Sequence, residues 1–237
     1  MEMPAEYEKR LVSVIIPVYN GERFLERALK SVFEQDYQPL EVLVIDDGST
    51  DATARIARSR PEVRYFYQAN QGHAAAKNTG IEKSRGEFLA FLDADDYWAP
   101  HKLRLQVGFL ESNPTVGYVL SCMEVILEPG AEIPRGFKPE LLQKASPAFL
   151  PSALAVRRTT LRAVGLFDPA FRIGNDTDWF FRAQDLGIQR AVLPDTLLFK
   201  SLHGGNDTYQ VEKMSKDMLR SIRASIQRKR REGANQA

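Results

Sequence analysis

Two short runs, VSVII at 12–16 and LEVLVI at 40–45, are apolar at nearly every position. A strand with one wet face alternates polar and apolar residues, so continuous apolar runs describe strands covered on both faces. Each run is followed by a stretch patterned as a helix, and alternation of this kind specifies a parallel sheet with crossover helices. Further strands are expected at 63–68, 87–93 and 116–124, with helices at Glu22–Gln35, Asp51–Arg58, His73–Ser84 and Ala99–Ser112. Pro100 suits the first turn of the last helix, and Asn113-Pro114 ends it. The expected fold class is α/β, a mostly parallel, Rossmann-like sheet flanked by helices. Ligands of such sheets bind beyond the carboxyl ends of the strands, so the strand-to-helix loops are where chemistry is expected.

The second half is less regular. Residues 128–150 hold four of the 13 prolines and show no period, as expected of a long surface loop. A short strand is expected at 152–156, helices near Thr159–Val164 and Asp176–Leu186, and strands near 189–193 and 196–201. From Val211 to about Arg231, residues Val211, Met214, Met218, Ile222 and Ile226 recur every three or four positions, the pattern of an amphipathic helix. Eight Lys/Arg against three acids give residues 211–237 a charge of +5 within a chain of net +1, so the body is mildly acidic. This helix is expected to lay its Met/Ile stripe on its own domain; a homo-oligomer contact and a peripheral membrane contact are the other outcomes. Basic residues gathered in one tail, rather than interleaved with aromatics over a face, argue against nucleic acid.

The chain's 237 residues, 43% of them hydrophobic, suffice for a packed core. No apolar run approaches the ~20 residues of a membrane span, and MEMPAEYEKR lacks the hydrophobic centre of a secretory signal, so a cytoplasmic location is expected. The single cysteine, Cys122, lies in VGYVLSCMEVIL and is read as core; it excludes an intrachain disulfide and a cysteine-based metal site.

Two strands run directly into acids. LEVLVID leads to Asp46-Asp47-Gly48-Ser49-Thr50-Asp51, and EFLAFLD leads to Asp93-Ala94-Asp95-Asp96. In a parallel sheet both clusters reach the same edge. Asp51 is a natural helix N-cap and Gly48 a turn residue, which explains part of the set. The remaining carboxylates repel one another by roughly a few tenths to a few kcal/mol, and a divalent cation is the expected compensation. An all-oxygen site, in a chain with three histidines, suits Mg²⁺ or Mn²⁺ rather than zinc or copper. Two chemistries use D-x-D after a buried strand. One is phosphoryl transfer by phosphatases of the haloacid-dehalogenase type, whose motif normally opens the domain; here three strands precede it and Tyr97-Trp98 follows it. The other is sugar transfer from a nucleoside diphosphate.

The runs VSVIIPVYNGERFLERALKSVFEQ, VLVIDDGSTD, NQGHAAAKNTGIEKSRGEFLAFLDADD, GLFDPAF (165–171) and GNDTDWFFRAQDLG (174–187) occur in this order. Together they resemble the inverting family 2 glycosyltransferases of GT-A fold, over about residues 11 to 205. The resemblance implies one GT-A domain, with a nucleotide-sugar-binding half at about 11–125, an acceptor and catalytic-base half at about 126–205, and the basic helix at 211–231. It implies a metal-dependent transferase moving sugar from a nucleotide-diphosphate donor, a UDP-sugar by the family's habit, to an acceptor hydroxyl in glycan, glycolipid or glycoconjugate biosynthesis.

Roles follow by position. Pro17, Tyr19 and Asn20 would contact the nucleobase, with Tyr19 as the stacking surface. Asp47 would hydrogen-bond the base, while Asp46 orders the loop. Lys77 replaces the arginine of the family's A-R-N sequence and would serve the diphosphate or the base as a point charge, without arginine's fork. Asp93 would touch ribose and metal, Asp95 would ligate the metal, and Asp96 would accompany them. The catalytic base would be Asp176, with Asn175 where the family's Glu-Asp pair has glutamate; either residue also suits a helix cap. Asp178 and Arg182 are expected to form a surface ion pair. His203, in SLHGGNDT, would be a further metal or phosphate ligand, with Asn206 and Thr208 nearby. The departures at Lys77 and Asn175 keep another class open, a nucleotide-sugar-binding subunit with little activity of its own.

Overall fold

The computed structural model describes residues 6–134, 137–142, 144–171, 173–206 and 211–235. Strands β1 (Glu8–Val18), β2 (Leu40–Asp46), β3 (Val63–Tyr67) and β4 (Gly86–Phe91) are parallel and lie in the order β3-β2-β1-β4. They are joined by α1 (Leu25–Phe33), α2 (Thr53–Arg58) and α3 (His73–Lys83). Val14, Ile15, Ile16, Leu43, Val44 and Ile45 are fully enclosed, as strands covered on both faces must be. Helix α3 lies directly on β1, because Gly80 has no side chain: a Cβ there would meet Ile15 Cγ2 at 2.3 Å.

The remaining elements are β5 (Tyr97–Trp98), α4 (Lys102–Ser112), β6 (Val116–Leu127), β7 (Ser146–Pro147), β8 (Ala155–Arg157), α5 (Arg158–Val164), α6 (Asn175–Asp185), β9 (Gln189–Leu202) and α7 (Val211–Asn235). Strand β8 enters antiparallel between β4 and β6, and β9 runs parallel to β6. Among the described residues the sheet reads β3-β2-β1-β4-β8-β6-β9-β5, with β7 paired to β6. This is the α/β class expected from the sequence, a sheet flanked by helices whose β1–β4 core is parallel.

Several boundaries differ from expectation for identifiable reasons. The two strands anticipated at 189–193 and 196–201 are one, β9; its register on β6 slips between Leu120–Val192 and Cys122–Thr196, and this irregularity accommodates Pro194. Helix α4 starts at Lys102, so Pro100 sits in the preceding turn, where its carbonyl accepts the Asp36 N–H at 3.0 Å. Residues 128–150 are not wholly irregular, since they contain β7 and a 3₁₀ turn at Pro139–Leu142. Another 3₁₀ turn, Pro151–Ala153, replaces the start of the strand expected at 152–156. Cys122 is free and half-buried rather than core.

Helix α7 docks on its own domain, but by its polar face. Asp217, Ser221, Ser225 and Arg228 share one side: Ile173 N–H donates to Asp217 Oδ2 at 3.0 Å, while Ser225 Oγ and Arg228 Nε donate to Asp185 at 2.7 and 2.8 Å. Met218 is 54% exposed and Ile226 46%, so the expected apolar stripe points away at these positions. The side chains of Val211 and Met214 lie outside those described. No helix among the described residues is long and apolar enough to cross a membrane.

Candidate active site

The carboxyl ends of β1, β2 and β4 open onto two adjoining cavities. One, of ≈ 530 Å³, is walled by Pro17, Tyr19, Asn20, Lys77, Asp93, Asp95, Asp176 and His203 among others. The second, of ≈ 560 Å³, shares Pro17, Tyr19 and His73 with it and adds Asp47. Of the expected site residues, Pro17, Tyr19, Asn20, Asp47, Lys77, Asp93, Asp95, Asp176 and His203 line one or other of these neighbouring spaces, whereas Asp96 lies behind them.

The loops after β1 and β2 brace each other. Asn20, held at φ 50°, donates its N–H to Ser49 Oγ and accepts the Thr50 N–H on Oδ1, both at 2.8 Å. Asparagine tolerates this left-handed conformation better than most residues. Gly21 N–H donates to Thr53 Oγ1 at 2.8 Å, and Glu22 and residues 51–52 exchange two further bonds. Asp51 accepts the Thr53 N–H at 2.9 Å just before α2, but the N-cap position is Ala52, so Asp51 turns the chain into the helix rather than capping it as expected. Asp46 is enclosed and orders its loop by accepting Ser49 N–H and the Tyr65 hydroxyl at 2.8 and 2.7 Å. Asp47 grips the next loop, taking Gln68 Nε2 and Gln71 N–H on Oδ1 and Gly72 N–H on Oδ2, all within 2.9 Å. Tyr19, 55% exposed, keeps its ring available to both cavities.

Helix α3 carries Lys77 into the first cavity. Its Nζ donates to Asn175 Oδ1 at 2.6 Å and stands 4.2 Å from the centre of the Phe167 ring. The two departures from the family's pattern are thus bonded partners. Burial drives the Lys77 ammonium below its ordinary range, opposed by the charges of Asp176 and Asp93. Adjacent Asn78 fixes the segment before α6 by a two-way bond with the Phe167 backbone, at 2.7 and 3.0 Å. Trp179, wholly enclosed, anchors α6 through Nε1 on the Gly165 carbonyl at 3.0 Å. One turn earlier Asp176 faces the cavity, with Oδ1 accepting the Thr177 N–H at 2.8 Å. Asp178 is not part of a surface pair: it is buried, and Arg182 binds it at 2.8 Å while also donating to the Val164 and Leu166 carbonyls.

Asp93, Asp95 and Asp96 each offer an oxygen within 4.8 Å of the others. Asp96 is completely buried; Oδ1 accepts the Ser201 N–H at 3.0 Å, and Oδ2 has no hydrogen-bond partner. Asp93 Oδ1 is likewise without one, although His73 Nε2 approaches to 3.2 Å. Orphaned carboxylate oxygens converging in a hard-oxygen cluster fit a divalent cation of the Mg²⁺ or Mn²⁺ type. Burial lifts Asp96 to about 8, with Asp95 and Asp93 adding to the lift and Lys200 opposing it. His203 holds Asp95 rather than joining the trio: Nε2 lies 3.0 Å from Asp95 Oδ2 while Nδ1 accepts the Gly205 N–H at 3.2 Å. Asn206 Nδ2 donates to the same Oδ2 at 2.8 Å, and Phe24 stacks on the imidazole at 4.5 Å. Thr208 lies outside the described residues.

Two residues escaped the sequence reading. His73 and Lys200 both line the first cavity. Lys200 Nζ lies 3.6 Å from Asp96 Oδ2, inside the strand run LLFKSL, where nothing local marks it out.

Comparison with known proteins bears on the whole arrangement. The family model described as "Glycosyl transferase family 2" matches residues 13–163. A glycosyltransferase of Nostoc sp., alr2836, is 31% identical over 91% of this chain and 72% of its own length. Among solved structures, Staphylococcus aureus TarS in complex with UDP-GlcNAc superposes with a TM-score of 0.73 at 22% identity, over 92% of this chain and 66% of that one. The mannosyltransferase PcManGT of Pyrobaculum calidifontis, in complex with GDP-Man and Mn²⁺, gives 0.71 at 27% identity, over 91% and 64%. This chain therefore spans somewhat under two thirds of the solved chains. The match leaves no place for the phosphatase alternative, and with the acids of β2, β4 and α6 gathered around one pair of cavities, the chain belongs to glycosyl transferase family 2.

Proposed function

We propose that the chain is an inverting glycosyltransferase that moves a hexosyl group from a nucleoside-diphosphate sugar to an acceptor hydroxyl, with a divalent cation as cofactor. The carrying observation is that one cavity holds Asp176 together with Asp93, Asp95, Lys77 and Lys200. PcManGT supports the donor class and the cation by its complex with GDP-Man and Mn²⁺.

The second cavity, between Tyr19 and Asp47, is assigned to the base of the nucleotide, with a uridine nucleotide the first to test and a guanosine nucleotide the next. Asp93, Asp95 and Asp96 would hold the cation. Bound there, it supplies positive charge for the diphosphate as the anomeric C–O bond breaks. Lys77 adds a fixed charge from the other wall. Asp176 takes the proton of the acceptor hydroxyl as its oxygen bonds to the anomeric carbon, from the side opposite the departing nucleoside diphosphate, so configuration inverts.

The test is transfer or hydrolysis of radiolabelled UDP- and GDP-sugars with Mn²⁺. Asp176→Asn should retain donor binding and lose about 10²- to 10⁴-fold in kcat, the contribution typical of a general base. Unchanged turnover in that variant would sink the base assignment. A wild-type chain that binds donor yet neither transfers nor hydrolyses it would establish the binding-subunit reading instead.

A further inference from the structure

Lys200 occupies an unusual position. Its ammonium stands 3.6 Å from Asp96 Oδ2, the oxygen of the trio that has no hydrogen bond, and it lines the cavity assigned to the donor. The side chain is 18% exposed, against none for Asp96. Lys200 is thus the cation set against the buried carboxylate of the trio.

A divalent cation on the same three carboxylates changes this balance. An ammonium and a metal ion repel at such separations, and the metal takes the carboxylate charge on which Lys200 depends. The lysine stem is long and rotatable. It leads into a cavity whose expected occupant is a diphosphate. We propose that Lys200 is an exchangeable counter-cation, pairing with Asp96 while no metal is bound and passing to the donor's diphosphate when a divalent metal takes the aspartate trio. The inference rests on the donor reading above and adds to it a coupling: metal binding frees a cation for the nucleotide, and nucleotide binding removes a competitor of the metal. Linkage makes the two effects equal.

Binding of Mn²⁺, followed by its electron paramagnetic resonance, tests this apart from activity. For the wild type, UDP or GDP should raise Mn²⁺ affinity, and Mn²⁺ should raise nucleotide affinity by the same factor. Lys200→Met should bind Mn²⁺ alone about tenfold more tightly and lose most of the coupling, within the 5- to 150-fold span usual for linked sites. Lys200→Arg keeps the charge and should behave as wild type. Lys200→Gln serves in place of the methionine variant should that one fail to fold. Unchanged or weaker Mn²⁺ binding in folded Lys200→Met or Lys200→Gln, with wild-type coupling intact, overturns the exchange while leaving the donor reading standing. Absence of both Mn²⁺ and nucleotide binding in the wild type overturns the donor reading, and this inference with it.

Discussion

Two lysines, Lys77 and Lys102, are fully enclosed, and each ammonium gives its hydrogen bond to a side-chain amide oxygen, Asn175 Oδ1 or Gln106 Oε1, at 2.6 Å. Burying a charge so weakly compensated costs stability, so its retention calls for a use. Lys77 has a proposed one, since it lines the cavity assigned above to the donor; Lys102 lines neither cavity and rests over the Trp98 ring at 4.2 Å. Burial pushes Lys102 down to about 7. The unfolded chain keeps that proton until about pH 10.5, so between the two values it binds more protons than the native state. The contribution of Lys102 to stability should therefore rise with pH from 7 toward 10, by up to about 1.4 kcal/mol per unit, and Lys102→Met should lose that contribution while being the more stable protein below pH 7. Urea titrations at pH 6, 8 and 9.5 check this; equal slopes in both proteins would refute it. Lys77→Met should leave stability equal or higher yet weaken UDP or GDP binding at least tenfold, by calorimetry, the loss expected of a charge placed for an anion. Both departures from the family pattern were legible as single letters. Their pairing was not, because 98 residues separate them and only the packing of α3 beside α6 brings them together. His73 and Lys200 were illegible for the same reason: each is an ordinary residue locally, given meaning by acids on a distant strand.

At the scale of elements, the buried parallel strands announced themselves through their unbroken apolar runs, and the helices through their period. Helix α7 shows where period stops being informative. Its Met/Ile repeat marked a helix correctly but named the wrong docking face, because what seats it is Asp185 at the end of α6, whose carboxylate receives Ser225, Arg228 and Lys229. Those partners hold Asp185 below the usual carboxylate range, in spite of its burial. Asp185→Ala should cost about 1 to 3 kcal/mol, the penalty for stranding charged and hydroxyl partners, and should loosen α7 first. Amide exchange over residues 216–230 should accelerate more than over β1 or β2. Protection lost evenly across the chain would show that Asp185 does not act through α7. Close approach is the other property that a pattern hides. At Gly80 an alanine would drive its Cβ into Ile15, where the contact is 2.3 Å. Gly80→Ala should therefore lower stability by roughly 1 to 3 kcal/mol, despite alanine's better helix propensity, by pushing α3 and Lys77 with it off the sheet. A gain in thermal stability would contradict that packing.

For the molecule as a whole, the sequence divides into a regular first half and an irregular second half, whereas the sheet does not. Strand β8, from the second half, lies between β4 and β6 of the first, and β9 closes over β6 and pairs with β5. The site is stitched by the same interleaving: Ser152 Oγ accepts the Asp93 N–H at 3.0 Å, Asn175 receives Lys77, and Asn206 holds Asp95. Neither half can satisfy its strand edges or complete the aspartate trio's surroundings alone, so the chain should unfold as one unit. The two tryptophans report on this directly, since Trp98 belongs to the first half and Trp179 to the second, both buried. Trp98 further spans the divide through Nε1 on the Ser152 carbonyl at 2.7 Å. In Trp98→Phe and Trp179→Phe, each with a single tryptophan remaining, tryptophan fluorescence and far-ultraviolet circular dichroism should give coincident urea midpoints within each variant. Variants will differ from each other in stability, which leaves the comparison of probes intact. Should fluorescence of Trp179 be lost at lower urea than the dichroism of the same variant, the second half would be melting from a first half that stands alone, and the two parts of the proposed site would be coupled by proximity only.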